Sequence, residues 1–95
     1  MPRPQRVLYV DDDRINVLLF EELCRVAGGF EVHAATSGAE ALEAAATARP
    51  DVLVIDLHLP DTDGYALLPR LRAAAGAAAL PAFLCTAEDA RDVQA

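Results

Sequence analysis

The chain has 95 residues, 54% of them hydrophobic, which suits one small domain with a single core. Its 15 acidic and 8 basic residues give a net charge of -7, which opposes binding to nucleic acid or to an anionic membrane surface. The N-terminus has no apolar signal core, and the uncharged stretches are too short to span a membrane. We therefore expect a cytoplasmic protein.

Four short apolar segments predict β-strands: "RVLYV", "EVHAA", "DVLVI" and "AFLC". The first, third and fourth are almost continuously apolar, as expected for strands that are covered on both faces. Strands of this kind are typical of a parallel sheet, so a parallel arrangement is the prediction.

The first segment between the strands has helical spacing from Asn16 to Ala27 and ends at two glycines, Gly28 and Gly29. Residues spaced three and four apart predict its inward face: Leu19, Phe20, Leu23, Cys24 and Ala27. The cysteine on this face and Cys85 lack metal-ligand spacing, so both are interpreted as buried reduced thiols.

Two further helices follow. Ser37 and Glu40 have the spacing of a capping box at the start of a helix that runs to about residue 48. The next helix covers residues 64–75 and contains Pro69, which predicts a kink or a tight first turn. The C-terminal "EDARDVQA" is interpreted as the beginning of a fourth helix.

This alternation of strands and helices predicts an α/β fold, a doubly wound parallel sheet with right-handed crossovers and helices on both faces. In such folds the functional site lies at the carboxyl ends of the strands. The residues that follow the predicted strands are therefore the candidates for function.

Acidic residues follow two of these strands. Asp11, Asp12 and Asp13 come after the first strand and Asp56 after the third. Carboxylates that share a cleft raise each other's pKa unless a cation neutralises them, and Mg²⁺ prefers oxygen ligands of this kind. For Asp13 the favoured interpretation is the N-cap of the following helix, but one cap does not explain two adjacent carboxylates and a third after another strand.

Three segments, "VLYVDDD", "DVLVIDLHLPDTDG" and "AFLCTA", resemble in this order the receiver domain of two-component response regulators. The resemblance extends from residue 6 to 93. It implies a flavodoxin-like sheet with strand order 2-1-3-4 and a signalling switch, which accepts a phosphoryl group from a sensor histidine kinase or a histidine phosphotransfer protein. Such a domain is phosphorylated once per cycle and is not expected to be an enzyme.

The resemblance also implies the roles of individual residues. Asp56 is the implied phosphoacceptor, and Asp12, Asp56 and the backbone carbonyl of His58 are the implied direct ligands of Mg²⁺. Asp11 is expected to hold the metal through water.

After the fourth strand, the resemblance gives the Thr86 hydroxyl and the Ala87 backbone N–H as donors to the phosphoryl oxygens. The side chains of His58 and Glu88 occupy positions that tune hydrolysis of the acyl phosphate in this family.

Residues after the third strand are expected to shape the loop that leads into the third helix. Pro60 and Gly64 allow a sharp turn into the third helix, with Gly64 supplying backbone dihedral angles that other residues resist. Asp61 and Asp63 are interpreted as ordinary loop and first-turn acids.

The receiver fold has five strands and five helices, so about 25 to 30 residues are expected to be missing at the C-terminus, judged from typical element lengths. These would carry the fifth strand, the fifth helix and the phosphate-pairing lysine, and the chain contains no lysine. We therefore expect residues 1–95 to form one incomplete receiver domain, with residues 1–5 flexible. Its exposed fourth strand predicts a homodimer or a longer protein.

Two alternatives stay open. A degenerate receiver could act as an interaction module without phosphorylation, as the lack of lysine would suggest. A phosphatase of the haloacid dehalogenase type also uses an aspartate after a strand, but it needs a second aspartate two residues later, where this chain has His58.

Overall fold

The computed structural model describes residues 3–85, which form four strands and three helices. In chain order they are β1 (Gln5–Val10), α1 (Arg14–Ala27), β2 (Phe30–Ala35), α2 (Gly38–Ala48), β3 (Val52–Asp56), α3 (Gly64–Ala75) and β4 (Ala82–Cys85). Every strand and helix predicted within this range is present, and Pro69 lies inside α3 as predicted. The predicted fourth helix lies outside the described residues.

The four strands form one parallel sheet in the order β2-β1-β3-β4, as the resemblance implied. Val10 at the end of β1 pairs with Ala35 of β2 and with Ile55 of β3. One residue beyond Ile55, Asp56 pairs with Cys85 of β4. The carboxyl ends of all four strands therefore lie along one edge of the sheet.

The helices cover both faces of the sheet, as predicted. On one face the ring of Tyr9 stacks on Phe20 of α1, with ring centroids 4.3 Å apart. The neighbouring side chains of β1 point to the other face because successive strand residues alternate. There they join the core between the sheet, α2 and α3, which includes Leu8, Val10, Ala41, Ala45, Leu53, Ile55, Leu67 and Leu71.

The predicted inward face of α1 is only partly correct. Cys24 is buried and Phe20 is partly buried, but Leu19 and Leu23 are 59% and 69% exposed. Among the described residues, α1 is the only helix on its face of the sheet, so one side of it packs on the strands and its flanks meet no neighbour. Helical spacing identified an apolar helix but could not show how much of it is covered.

The strand β4 lies at the edge of the sheet. Its register places Phe83 beside Val54 on the α1 face, where Phe83 is 64% exposed. Cys85 points to the same face and is also exposed, whereas Cys24 is buried; both are free thiols. The prediction of two buried cysteines is therefore wrong for Cys85, because none of the described helices covers β4 on this face.

Two residues near the N-terminus contact other parts of the fold. Gln5 is the first residue of β1, paired with Phe30, and the Arg3 guanidinium donates to both carboxylate oxygens of Asp51 at 2.9 and 3.0 Å. The expected flexibility of residues 1–5 stays a prediction. Within residues 3–85, no helix has the length and apolar character needed to cross a membrane.

Candidate functional site

Three carboxylates meet at the carboxyl ends of the two central strands. Asp11 and Asp12 follow β1, Asp56 ends β3, and one carboxylate oxygen from each lies within 4.8 Å of the other two. They meet because β1 and β3 are neighbours, although Asp56 is distant from Asp11 and Asp12 in sequence. The structure thus brings together the three acidic residues that the sequence predicted as a metal site.

Asp11 is the buried member of this cluster, with 5% of its surface exposed. Its Oδ2 accepts hydrogen bonds from the Tyr9 hydroxyl at 3.0 Å and from the Asn16 side-chain amide at 3.1 Å. Its Oδ1 accepts the backbone N–H of Asp13 at 2.9 Å. Both oxygens of this carboxylate are therefore engaged by the protein, and sequence reasoning had found neither Tyr9 nor Asn16.

Asp12 and Asp13 differ in their surroundings. Asp12 is exposed and its carboxylate belongs to the cluster. The Asp13 side chain instead accepts the N–H of Ile15 at 2.9 Å and caps α1, so its predicted role as N-cap is confirmed.

Asp56 is partly buried, and its Oδ1 accepts the backbone N–H of His58 at 3.0 Å. Burial is the main cause that raises the pKa of Asp56, and the charges of Asp11 and Asp12 raise it further. The His58 N–H acts in the opposite direction because it stabilises the carboxylate. Without a bound cation, the surroundings of Asp56 therefore disfavour its ionised carboxylate.

The donor set fits a hard divalent cation such as Mg²⁺. All three side chains offer carboxylate oxygens, and these oxygens are close enough to hold one ion either directly or through its bound water. A cation between them would also remove the repulsion that contributes to the raised pKa of Asp56. The residues present are thus compatible with the predicted cofactor.

The loop between β3 and α3 folds back beside the cluster. His58 forms an isolated antiparallel bridge with Asp63, and the N–H of Gly64 donates to the Leu57 carbonyl at 2.9 Å. A Cβ atom on Gly64 would lie 3.1 Å from the Asp56 carbonyl oxygen and from the Leu57 Cα. The φ angle of Gly64 is not positive, so the expectation that it supplies unusual dihedral angles is wrong. The loop instead requires a residue without a side chain at this position.

Asp61 and Asp63 in this loop stabilise helix N-termini. Asp63 caps α3 by accepting the N–H of Ala66 at 2.8 Å. Asp61 accepts the N–H groups of Gly38 and Ala39 at 2.8 and 3.1 Å, at the start of α2. Sequence analysis missed this second contact because the residues lie more than 20 positions apart and no local pattern marks such a pair.

Two predicted site residues, Thr86 and Ala87, lie outside the described residues. In the sequence they follow Cys85, which pairs with Asp56 in the sheet.

Comparison with known proteins gives a consistent family. The family model of the response regulator receiver domain matches residues 7–95. A protein-glutamate methylesterase/protein-glutamine glutaminase of Anaeromyxobacter dehalogenans is 43% identical over 72 residues, or 75% of this chain and 21% of that protein. The transcriptional regulatory protein PrrA of Mycobacterium tuberculosis is 46% identical over 68 residues, or 72% of this chain and 29% of that protein. The chain thus corresponds to less than a third of each of these relatives.

Solved structures agree with this result. A receiver domain from Methylobacillus flagellatus superposes with a TM-score of 0.69 at 41% identity, covering 74% of this chain and 58% of that one. The receiver domain of a sensor histidine kinase from Pseudomonas aeruginosa, solved with a magnesium ion coordinated in its active site cleft, gives a TM-score of 0.73 at 28% identity. That match covers 85% of this chain and 66% of the other. From its sequence, its strand order and its acidic cluster, the chain belongs to the response regulator receiver domain family.

Proposed function

We propose that this chain is a phosphoacceptor switch of a two-component phosphorelay, and that Asp56 receives the phosphoryl group. The observation that carries the proposal is the meeting of Asp11, Asp12 and Asp56 at the strand ends, within 4.8 Å of one another. The proposed donor is the phosphohistidine of a sensor histidine kinase or of a histidine phosphotransfer protein.

In the proposed reaction, a carboxylate oxygen of Asp56 attacks phosphorus opposite the donor imidazole nitrogen. An oxygen–phosphorus bond forms, the phosphorus–nitrogen bond breaks, and its electron pair returns to the imidazole. The hydrogen bond from the His58 N–H to Oδ1 restricts rotation of the Asp56 carboxylate, which favours attack by Oδ2. The product is an acyl phosphate on Asp56.

Mg²⁺ is the proposed cofactor. Asp12, Asp56 and the His58 backbone carbonyl would ligate it directly, and Asp11 would act through water. The ion would neutralise charge on the phosphoryl oxygens. The three protein donors to Asp11 leave about one acceptor position on its carboxylate, which a water molecule on the metal would fill.

Donors from the chain complete the proposed site. Thr86 would donate its hydroxyl to a phosphoryl oxygen and Ala87 its backbone N–H, as the family resemblance implies. In the proposed role the chain accepts one phosphoryl group per cycle and acts as a switch instead of a catalyst with turnover.

The proposed partners follow from this role. They are a sensor histidine kinase or a histidine phosphotransfer protein. We propose that the domain acts in the cytoplasm and binds neither nucleic acid nor a membrane. A homodimer through the exposed edge of β4 is a further part of the proposal, supported by the position of that strand at the end of the sheet.

The proposal is tested by incubating the chain with Mg²⁺ and acetyl phosphate and recording its intact mass. We expect the mass of one phosphoryl group to be added in Mg²⁺ and not in excess chelator. Asp56→Asn should abolish the addition. Asp63→Asn is the matched control, because asparagine can also cap α3 and this variant should be phosphorylated normally.

The same experiment separates the alternatives. A folded chain that binds neither phosphoryl group nor beryllofluoride would contradict the proposal and favour an interaction module. Continuous hydrolysis of phosphate esters would contradict it in favour of a phosphatase.

A further inference from the structure

We propose that Tyr9 is a positioning residue for the metal site, because its hydroxyl holds the carboxylate of Asp11 in one orientation. This inference rests on the proposed Mg²⁺ site. It assigns a function to a side chain of β1 that contributes no ligand to the cluster. The contacts of Asp11 carry the argument.

The first observation is the direct hydrogen bond from the Tyr9 hydroxyl to Oδ2 of Asp11, at 3.0 Å. Both residues are buried, with 9% and 5% of their surfaces exposed. A hydrogen bond from a neutral donor to a buried carboxylate is among the stronger kinds in proteins. Its loss would leave a buried charge with one donor fewer.

The second observation is that the Tyr9 ring is itself fixed. It stacks on Phe20 of α1 with ring planes 9° apart. Because packing holds the ring in place, the position of its hydroxyl is also defined. The hydrogen bond from this hydroxyl can therefore orient the Asp11 carboxylate.

The third observation is the number of donors at Asp11. A carboxylate has about four acceptor positions. Tyr9 and Asn16 donate to Oδ2 and the Asp13 N–H donates to Oδ1, so three of these positions are filled. Asp11 then has room for about one further donor, such as a water molecule on the metal. By occupying one acceptor position on Oδ2, Tyr9 helps to determine which position of the Asp11 carboxylate faces the metal site.

The variant Tyr9→Phe tests this role because it keeps the ring and its stacking and removes only the hydroxyl. We expect the dissociation constant for Mg²⁺, measured by calorimetry, to rise by about tenfold, as for other groups that orient metal ligands. In the Asp11→Asn background, Tyr9→Phe should add no further loss, because the hydroxyl acts through the Asp11 carboxylate.

A second readout needs no metal. The amide proton of Asp13, which donates to the other Asp11 oxygen, should change its NMR chemical shift in Tyr9→Phe. Tyr65→Phe is the matched control, since it removes the only other tyrosine hydroxyl of the chain from an exposed position on α3. It should leave both the Asp13 amide and the Mg²⁺ affinity unchanged.

The outcomes distinguish the two proposals. If the wild-type chain binds Mg²⁺ and Tyr9→Phe binds it equally well, the role of Tyr9 is wrong and the metal site stands. An equal loss in the wild-type and Asp11→Asn backgrounds would also contradict the role of Tyr9. If the wild-type chain does not bind Mg²⁺, the metal site and the inference drawn from it are both wrong.

Discussion

Asp12 and Asp13 are adjacent residues with the same side chain and different partners. The Asp12 carboxylate is exposed and belongs to the acidic cluster, whereas the Asp13 carboxylate accepts a backbone N–H in the first turn of α1. Both residues lie in the short connection between the end of β1 at Val10 and the start of α1 at Arg14. One carboxylate is thereby available to a cation and the other to the helix.

Replacing each of them by alanine should separate these roles. Asp13→Ala should lower the free energy of unfolding by about 1 kcal/mol, the usual cost of losing an N-cap, and should change Mg²⁺ affinity little. Asp12→Ala should abolish measurable Mg²⁺ binding without lowering metal-free stability, because it removes one of three like charges. Chemical denaturation and calorimetry measure the two quantities, and the reverse pattern would contradict the assignment.

For individual residues, the sequence was sufficient to predict which carboxylates meet, since strand ends in a parallel sheet share one edge. It was not sufficient to predict the donors around Asp11. Tyr9 has the apolar ring expected of a strand residue, and nothing in the local pattern shows that its hydroxyl reaches Asp11. Contacts of this kind depend on side-chain directions that spacing does not specify.

The loop between β3 and α3 connects the acceptor site to a second element, α2. His58 at the start of this loop donates to Asp56, and Asp61 farther along accepts two N–H groups at the N-terminus of α2. These N–H groups lack partners inside the helix, so a carboxylate satisfies them and also interacts favourably with the helix dipole. The loop is thus held at His58 and again at Asp61.

We expect Asp61→Ala to lower the thermal stability at neutral pH, and Asp61→Asn to lower it less because the amide oxygen can still accept one N–H. The Gly38 N–H is the main cause that lowers the pKa of Asp61 from its ordinary 3.8. A lowered pKa stabilises the fold above the ordinary value, and this contribution is lost as the pH falls through the folded-state value. The difference in Tm between wild type and Asp61→Ala should therefore shrink as the pH falls below 3.8, and a difference independent of pH would contradict this explanation.

The alternation of apolar runs and helical spacing predicted all seven helices and strands of residues 3–85, with their order. The exposed flank of α1 was not predictable in the same way. Leu19 and Leu23 fit an inward face by spacing, but burial also needs a neighbouring element, and the described residues supply none there. Periodicity describes one element, whereas burial depends on its neighbours.

Within residues 3–85, the two faces of the sheet are covered unevenly. One face packs against α2 and α3, while on the other face α1 leaves Phe83 of β4 exposed. An apolar edge strand with open backbone groups is a surface to which another chain can add. The proposed homodimer would use this edge of the sheet.

We expect light scattering after size-exclusion chromatography to show a molar mass that rises towards a dimer as concentration increases. Phe83→Ser should weaken this association because it removes apolar surface beside the edge of β4. Tyr65→Ser, at an exposed aromatic residue on α3, is the matched control and should associate like the wild type. A monomer at every concentration would contradict the proposed dimer.

The proposed phosphorylation of Asp56 can be examined by locating the modified residue. Borohydride reduces an aspartyl phosphate to homoserine, so peptide mass spectrometry after acetyl phosphate treatment and reduction identifies the acceptor. We expect homoserine at position 56 in the Mg²⁺ sample and none in the chelator sample. Homoserine at Asp11, Asp12 or another carboxylate, with Asp56 unmodified, would contradict it.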